Sequence, residues 1–268
     1  MPTDTDTPLL GHPLAEPSAF TPESLVNAVR TEREASGEPI PEVCVLDFDG
    51  DLSDWLGKAG RSRPNDAWAC FHTAMHEVEF DGLRAGIVAR AIGGPYSVLI
   101  AEQMLVSGAV VIVGLTSAGR VSEALPLPSL VVPTAALRDE GTSLHYLPPS
   151  RFVDAPGELQ AALATELDEV GLPVVRGPVW TTDAPYRETA TQLREHSREG
   201  LLAVEMQAAS LFALAEARQA EIGVVAHVTN AVDNSGEDFD KGDDDLSYRI
   251  LERIVRAGYR VSANHATQ

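Results

Sequence analysis

Residues 200–218 read GLLAVEMQAASLFALAEAR, and this stretch carries most of the information about the fold. Alanine, leucine, methionine and glutamate favour helices, and the composition predicts a helix over residues 203–219. Glu205 then falls in the first turn, where a carboxylate is favourable to the helix dipole. A side chain at the start of such a helix can also face a pocket at the edge of a sheet. A structural and a ligand-binding interpretation of Glu205 are therefore both open.

Outside this stretch, short apolar segments rich in β-branched residues alternate with helical patterns. Buried strands that alternate with helices are typical of an α/β domain with a mainly parallel sheet. We therefore predict a single α/β domain with a central mixed, mainly parallel sheet flanked by helices, and we expect the site at the carboxyl ends of the strands. The predicted strands are residues 43–48, 86–92, 109–115, 129–137, 173–181 and 222–230, and the other predicted helices are residues 96–107, 156–170 and 187–199.

Length and charge limit the classes of function. The chain has 268 residues, a length that α/β folds often use in one domain. Forty acidic and twenty basic residues give a formal net charge of -20, which repels nucleic acid and anionic membrane surfaces. The sequence contains no cluster of Lys and Arg that would offset this charge. We expect neither nucleic acid nor a membrane as a partner.

The sequence predicts a cytoplasmic protein without metal or cofactor. Its start, MPTDTDTPLLGHPLAEPSAF, lacks the basic and apolar regions of a signal peptide, and no apolar run approaches the length of a membrane span. Cys44 and Cys70 are too few for a disulfide framework and lack metal-like spacing, so buried free thiols are expected. The same start is rich in Pro, Thr and Asp. Residues 1–38 are predicted to form an N-terminal arm that is partly disordered or docked, and residues 39–268 are predicted to form the folded domain.

Four segments follow one pattern in order and spacing. They are residues 89–121 (ARAIGGPYSVLIAEQMLVSGAVVIVGLTSAGRV), 136–150 (ALRDEGTSLHYLPPS), 177–189 (GPVWTTDAPYRET) and 200–218. The pattern resembles the nucleoside phosphorylase family, and specifically its uridine-phosphorylase-like branch, whose signatures include a G-T-[ST]-G loop and V-E-M-E-A-A-x-L-F. The resemblance covers residues from about 40 to 232. It implies a nucleoside or a nucleoside analogue as substrate, and a homo-oligomer that is a dimer or a trimer of dimers.

The resemblance also implies a role for each of several residues. The ribose would be bound by Glu205, Met206 and Gln207. The base would be bound by Trp180, Thr182, Asp183 and Arg187. The loops that line the site would contain Gly94, Gly114, Ser117 and Gly119. Two structural alternatives stay open, because a helix methionine is often core filler and because Asp183 and Arg187 can form an ion pair that anchors their loop.

The sequence departs from the family where phosphate would bind. The family's G-D-P-x-R turn reads GDLSD at residues 50–54, which places Asp54 where the arginine belongs. The arginine before the G-T-[ST]-G loop is replaced by Gly114, and a third aligns near Phe71. Two unit charges about 4 Å apart change their interaction by several kcal/mol on sign reversal at an effective dielectric near 20. We therefore do not expect ordinary phosphate binding.

The ribose and leaving-group positions also depart from the family. The second glutamate of V-E-M-E is Gln207, so an amide replaces an acceptor-only carboxylate. The aspartate that can serve the leaving base is replaced by Asn230, whose amide can hydrogen-bond a base and cannot protonate it. His227 lies two residues before Thr229, and so on the same face of the predicted strand, and is a candidate for the missing acid, although strand histidines are usually core residues.

Three functions stay open at this point. The first is a hydrolytic nucleosidase in which Asp51 or Asp54 acts as base toward water, because water activation requires a basic group. The second is a fold reused for another biosynthetic reaction on a heterocyclic or polyketide-like molecule. The third is a catalytically silent binding subunit. Fold alone does not decide among them.

A fourth and more distant alternative comes from VCVLDFDGDLSD at residues 43–54. Its D-x-D-G core after an apolar strand resembles the nucleophile loop of haloacid dehalogenase-type phosphatases, with Asp47 as nucleophile. However, Asp51 follows Gly50 and places a negative charge where an anionic substrate would dock. The acidic KGDDD at residues 241–245 is predicted to lie in a polar loop instead of following a buried strand, as that family's magnesium motif would require.

Overall fold

The computed structural model describes residues 7–35, 37–232 and 244–265. Within these residues a mixed sheet of ten strands forms the centre. The strands are β1 (Val43–Asp47), β2 (Arg63–Pro64), β3 (His76–Phe80), β4 (Leu83–Ala89), β5 (Val111–Arg120), β6 (Ser129–Asp139), β7 (Phe152–Asp154), β8 (Val174–Thr182), β9 (Ala203–Glu205) and β10 (Glu221–Ala231). The helices are α1 (Pro22–Arg33), α2 (Asp51–Lys58), α3 (Gly94–Val106), α4 (Gly157–Leu167), α5 (Ala190–Arg198), α6 (Ala208–Arg218) and α7 (Asp244–His265).

Five of the strands close into a ring. Hydrogen-bonded neighbours follow the order β10, β6, β8, β9 and β5, and β10 pairs again with β5. From β5 the sheet continues through β1, β4, β3 and β2. The two longest ladders, β5 with β10 and β6 with β8, are parallel, whereas β6 with β10 and β5 with β9 are antiparallel. The predicted α/β domain with a mixed, mainly parallel central sheet is confirmed.

Helices cover the sheet on two sides. On one side α3 and α6 pack together and against the sheet, and Met104 and Phe212 are buried between them and the strands. On the other side α2, α4 and α7 pack together and on the sheet, with Leu52, Leu159 and Ile254 fully or almost fully buried. The carboxyl ends of β1, β5 and β10 emerge between these two layers.

The apolar periodicity located most of the regular structure. The six predicted strands are confirmed as β1, β4, β5, β6, β8 and β10. The predicted helices at 96–107, 156–170 and 187–199 are confirmed as α3, α4 and α5, with ends that differ by a few residues. Helices α1, α2 and α7 and strand β3 were not predicted.

The predicted start of the helix at residue 203 is wrong. Residues 203–205 form β9, in which Val204 pairs with Gly119 of β5 and with Trp180 of β8. Helix α6 begins at Ala208. The hydrogen bonds that close the ring override the helix propensity of these residues. The predicted turn at 50–54 also differs, because Gly50 (φ 83°) begins helix α2.

The described part of the predicted N-terminal arm contacts the domain. Helix α1 begins after Thr21, whose hydroxyl caps it. It packs on α3 and buries Val26 and Val29. Upstream, the ring centroid of His12 lies 3.9 Å from that of His145. The boundary of the arm at residue 38 stays a prediction.

Three further sequence predictions concern features away from the site. None of the helices in the described ranges is long and apolar enough to cross a membrane. Cys44 and Cys70 are buried free thiols, as predicted. Most of the predicted polar loop and of the KGDDD motif, namely residues 234–243, lies outside the described residues.

Candidate active site

Two adjacent cavities lie where the carboxyl ends of β1, β5 and β10 meet. The larger has a volume of about 390 Å³ and the smaller a volume of about 250 Å³. Four residues line both: Asp49, Thr116, Ser117 and Thr229. The two cavities are therefore neighbouring lobes of one cleft, and it lies at the sheet edge where the sequence predicted a site.

Asp49 lies at the junction of the two cavities. Its carboxylate accepts hydrogen bonds from the Ser117 backbone N–H (3.0 Å) and from the Ser117 hydroxyl (3.1 Å). β1 and β5 are parallel neighbours, so the residues that follow β1 come beside the end of β5. The result is that a carboxylate of this chain occupies two hydrogen-bond donors that an anionic ligand would otherwise use.

Asp47 holds helix α2 against β1. Its two carboxylate oxygens accept from the Gly50 N–H (3.1 Å), the Ser53 N–H (2.8 Å) and the Ser53 hydroxyl (2.7 Å). Burial raises the pKa of Asp47, and these hydrogen bonds oppose the rise. Because Asp47 is buried and accepts three hydrogen bonds from the start of helix α2, it is not presented as a free nucleophile.

The three residues predicted to bind ribose line the larger cavity. Glu205 accepts from the Thr181 hydroxyl (2.5 Å) and from the backbone N–H groups of Gln207 (2.6 Å) and Ala208 (2.7 Å), so it caps α6. Burial raises the pKa of the Glu205 carboxyl to about 7. The carboxylate thus serves the fold, and the adjacent Met206 and Gln207 are the residues with groups left for a ligand.

Gln207 is held by its amide oxygen. That oxygen accepts from the Met206 N–H (3.2 Å) and, at 3.4 Å, from the Thr116 hydroxyl. The hydrogen bonds of this side chain to described residues do not use its NH₂ group, and Gln207 lines the larger cavity. The NH₂ group is therefore the part of Gln207 that can donate to a ligand.

The four residues predicted to bind the base lie away from the cleft. Trp180 is 1 % exposed, and its indole N–H donates to Asp139 (3.0 Å). Asp183 accepts from the Gly141 N–H (2.9 Å). With Thr182 and Arg187 they border a separate pocket of about 200 Å³. The same segment reaches the cleft through other residues, which are Pro185, Tyr186 and Glu188.

Strand β10 supplies one predicted residue to each cavity. Asn230 lines the larger cavity and His227 lines the smaller one. The register of β10 against β5 shifts between Val228 and Asn230, so simple alternation along the strand does not relate the two side chains. The structure therefore does not bring His227 into the cavity that contains Asn230, where it would have to act on the same base.

Two of the predicted loop glycines allow close packing. A Cβ atom on Gly94 would stand 2.2 Å from the Ser210 hydroxyl oxygen, where α3 meets α6. A Cβ on Gly119 would stand 2.4 Å from a methyl carbon of Val232 in the wall of the larger cavity. Gly119 and Ser117 line the cleft, whereas Gly94 shapes the helix packing behind it.

Comparison with known proteins gives the family. A family model described as Phosphorylase superfamily matches residues 42–257, which is most of the chain. The chain belongs to this superfamily. The resemblance to nucleoside phosphorylases is confirmed, and the phosphatase interpretation of residues 43–54 is wrong.

Relatives with named activities are distant. Guanosine phosphorylase of Halorubrum lacusprofundi is 27% identical over 192 residues, which cover 70% of this chain and 78% of the relative. Purine nucleoside phosphorylase of Plasmodium vivax is 25% identical over 196 residues, or 71% of this chain and 78% of the relative. Uridine phosphorylase of Thermococcus kodakarensis is 26% identical over 180 residues, or 60% and 65% of the two chains.

Asp54 faces away from the cleft. It stands where the family resemblance places the arginine of the G-D-P-x-R turn. It is half exposed and forms an ion pair with Arg90 (2.6 Å). The Arg90 side chain crosses Gly50, where a Cβ atom would stand 2.9 Å from the guanidinium carbon. A guanidinium is thus near this turn, but Asp54 neutralises it, and Arg90 lines neither cavity. Asp51, in the first turn of α2, lines the smaller cavity.

Gly114, at the second such position, is covered by an aromatic ring. A Cβ atom on Gly114 would stand 2.7 Å and 3.0 Å from two ring carbons of Phe48. Phe48 is 1 % exposed and belongs to the main core on the α3 and α6 side. The space that a longer side chain would need is therefore already filled.

Sequence reasoning missed Asp49, Thr116, Tyr186 and Glu188, which line the cleft. Asp49 belongs to the D-x-D-G motif that was noticed, but its direction depends on the turn after β1. Glu188 lies in the segment assigned to the base. Burial raises the pKa of its carboxyl to about 7. No signal in the local sequence separates Glu188 from the exposed acids around it.

Proposed function

We propose that this chain cleaves the N-glycosidic bond of a nucleoside or nucleoside-like compound with water in place of phosphate. Membership of the superfamily and relatives that are guanosine, uridine and purine nucleoside phosphorylases support a nucleoside substrate. The observation that carries the phosphate-free mode is the Asp49 carboxylate on the amide and hydroxyl of Ser117.

The charge of the cleft supports the use of water. Asp47, Asp49 and Asp51 line the smaller cavity, and no lysine or arginine is among its described lining residues. A phosphate ion there would have to displace Asp49 and approach the other carboxylates. Each pair of unit charges about 4 Å apart costs about 4 kcal/mol at an effective dielectric near 20. A neutral water molecule meets no such repulsion and can donate hydrogen bonds to carboxylates.

The sequence named Asp51 and Asp54 as candidates for the general base, and the geometry favours Asp49 over both. It lines both cavities, whereas Asp51 lines the smaller one and Asp54 is turned toward Arg90. With the sugar beside Met206 and Gln207, a water beside Asp49 would attack C1′. Asp49 accepts the proton of this water as the bond from C1′ to the base nitrogen breaks. Asp49 and the water molecule thus act in the oxocarbenium-like transition state of glycosyl transfer.

The test is product analysis with and without phosphate. Purified protein is incubated with a panel of purine and pyrimidine nucleosides, and free base, free ribose and ribose 1-phosphate are measured. We expect base and free ribose in phosphate-free buffer, at a rate that added phosphate does not raise. A rate that depends on phosphate, with ribose 1-phosphate as product, would overturn the proposal.

Two variants test which residue acts as the general base. Asp49→Asn should lower kcat by about a hundredfold to ten-thousandfold, the range for loss of a general base. Asp54→Asn removes a carboxylate from the same turn outside both cavities and serves as the matched control, with kcat expected within about threefold of wild type. Greater loss in Asp54→Asn than in Asp49→Asn would return the role to the residue predicted from sequence. A homo-oligomeric state and a cytoplasmic location stay predictions.

A further inference from the structure

The base that departs from a nucleoside carries negative charge unless it receives a proton, and an acid in the cleft would speed its departure by supplying one. Asn230 lines the larger cavity where the base would lie, but a carboxamide has no acidic proton to transfer. His227 lines the other cavity. The residues named from sequence therefore leave the leaving group without an acid.

We propose that Glu188 is the general acid that protonates the leaving base, an inference that rests on the proposed function. Glu188 follows a short 3-10 helix, Pro185–Arg187, and its half-buried side chain lines the larger cavity together with Met206 and Asn230. A carboxyl at this place faces the same space as Met206, beside which the proposed function places the sugar, and Asn230, beside which it places the base.

Glu188 differs from the other carboxyl groups of the larger cavity. Asp49 is hydrogen-bonded to Ser117, and Glu205 caps helix α6. The Glu188 carboxyl has no hydrogen bond or ion pair with any side chain or backbone group in the described ranges. Of the three carboxyl groups that line this cavity, Glu188 is thus the one that is not held by a hydrogen bond from the described residues.

The acidity of Glu188 suits proton donation near neutral pH. Burial raises the pKa of its carboxyl to about 7. A general acid works best when its pKa lies near the working pH, because a substantial fraction is then protonated and still acidic. The other titratable groups that line this cavity are Asp49, Glu205 and Tyr186, so variants are needed to assign a pH effect to Glu188.

One turnover conserves protons and electron pairs. The bond between C1′ and the base nitrogen breaks, and its electron pair stays with the base. Glu188 gives its proton to a ring nitrogen or exocyclic oxygen of the base and becomes a carboxylate. Water adds its oxygen to C1′ and gives a proton to Asp49. Exchange of protons with solvent restores both groups, so the sum is nucleoside plus water to ribose plus base.

The experiment compares two kinds of leaving group. Protonation assists departure of a natural base, whereas p-nitrophenyl β-ribofuranoside releases a phenolate that is stable without a proton. Wild type, Glu188→Gln and Glu195→Gln are assayed on both substrates without phosphate. Glu195 is exposed on the neighbouring helix α5 and provides the matched control. Thermal melting establishes that each variant is folded, and Glu188→Asp provides a second, shorter acid.

We expect Glu188→Gln to lower kcat/KM for nucleosides by about a hundredfold to ten-thousandfold and to change kcat/KM for the p-nitrophenyl substrate by less than about threefold. Wild-type kcat/KM for nucleosides should fall as the pH rises above about 7, and this fall should be absent in Glu188→Gln. Glu188→Asp should retain part of the nucleoside activity, and Glu195→Gln should match wild type.

Two results would overturn the assignment while leaving the hydrolase intact. One is a wild-type rate on nucleosides in Glu188→Gln, and the other is an equal loss on both substrates, which would indicate a packing role. Wild-type protein that releases no base without phosphate would instead overturn the proposed function and this inference with it.

Discussion

Substitution of Gly114 tests whether the core itself excludes the arginine expected at this position. Gly114 lies in β5 and does not have a positive φ, so alanine is compatible with the backbone. The added Cβ atom would stand 2.7 Å from the Phe48 ring and 3.5 Å from Leu211, both of which are buried. Overpacking of this kind costs typically about 1–3 kcal/mol. We therefore expect Gly114→Ala to lower the free energy of unfolding by that amount.

Urea unfolding at neutral pH measures the effect, with Gly57→Ala as matched control. Gly57 lies within helix α2, is exposed, and has open space where a Cβ atom would stand, so alanine should stabilise the protein by about 0.5–1 kcal/mol. Phe48→Leu should relieve the clash, and the double variant should show a coupling energy of about 0.5–3 kcal/mol. A Gly114→Ala protein as stable as wild type, with no coupling to Phe48, would refute the reasoning.

Two further predictions concern buried acids and the pH dependence of folding. Burial raises the pKa of Glu205 from its ordinary 4.5 to about 7, so its stabilising contribution is complete below pH 4.5 and is lost as the pH rises to about 7. In the wild type, the free energy of unfolding should fall by about 3 kcal/mol as the pH rises across this window. We expect this fall to be absent in Glu205→Gln. Glu77 is the opposite case, because hydrogen bonds and charge from Arg84 and Arg63 lower its pKa to about 2. The stabilising contribution of Glu77 is present above pH 4.5 and is lost as the pH falls toward 2. Both arginines are mostly exposed, which weakens the ion pairs. We therefore expect Glu77→Gln to lower the free energy of unfolding in urea at neutral pH by about 1–3 kcal/mol and to reduce its dependence on pH in acid.

Local apolar patterns were sufficient for the strands that form the core. β1 and the first halves of β5 and β10 are largely apolar because both of their faces are covered by helices. The residues of helix α7 also carry a helical period, with Leu246, Ile250 and Ile254 buried, so the sequence contained that signal although it was not used. Residues 203–205 lacked a decisive local signal, because their strand pairing depends on β5 and β8, which are distant along the chain.

The site was harder to predict because tertiary contacts decide the direction in which each side chain points. The family pattern pointed to the segment that contains Trp180 and Asp183, and that segment does reach the cleft. The register of β6 against β8 shifts near the middle of the ladder, however, and Trp180 faces the core while Tyr186 and Glu188 face the cavity. The position of Asp49 against Ser117 likewise follows from parallel pairing of β1 with β5 and not from the D-x-D-G motif itself.

The closed ring of strands has a consequence for ligand binding. Each of β5, β6, β8, β9 and β10 is hydrogen-bonded to neighbours on both sides, so none of them can slip in register without disturbing the others. The hydrogen bonds that Glu205 accepts also join this ring to the first turn of α6. The side of the cleft that contains Met206 and Gln207 is therefore preorganised, and the conformational entropy lost on binding a ligand falls on the rim, where the Tyr186 side chain is fully exposed.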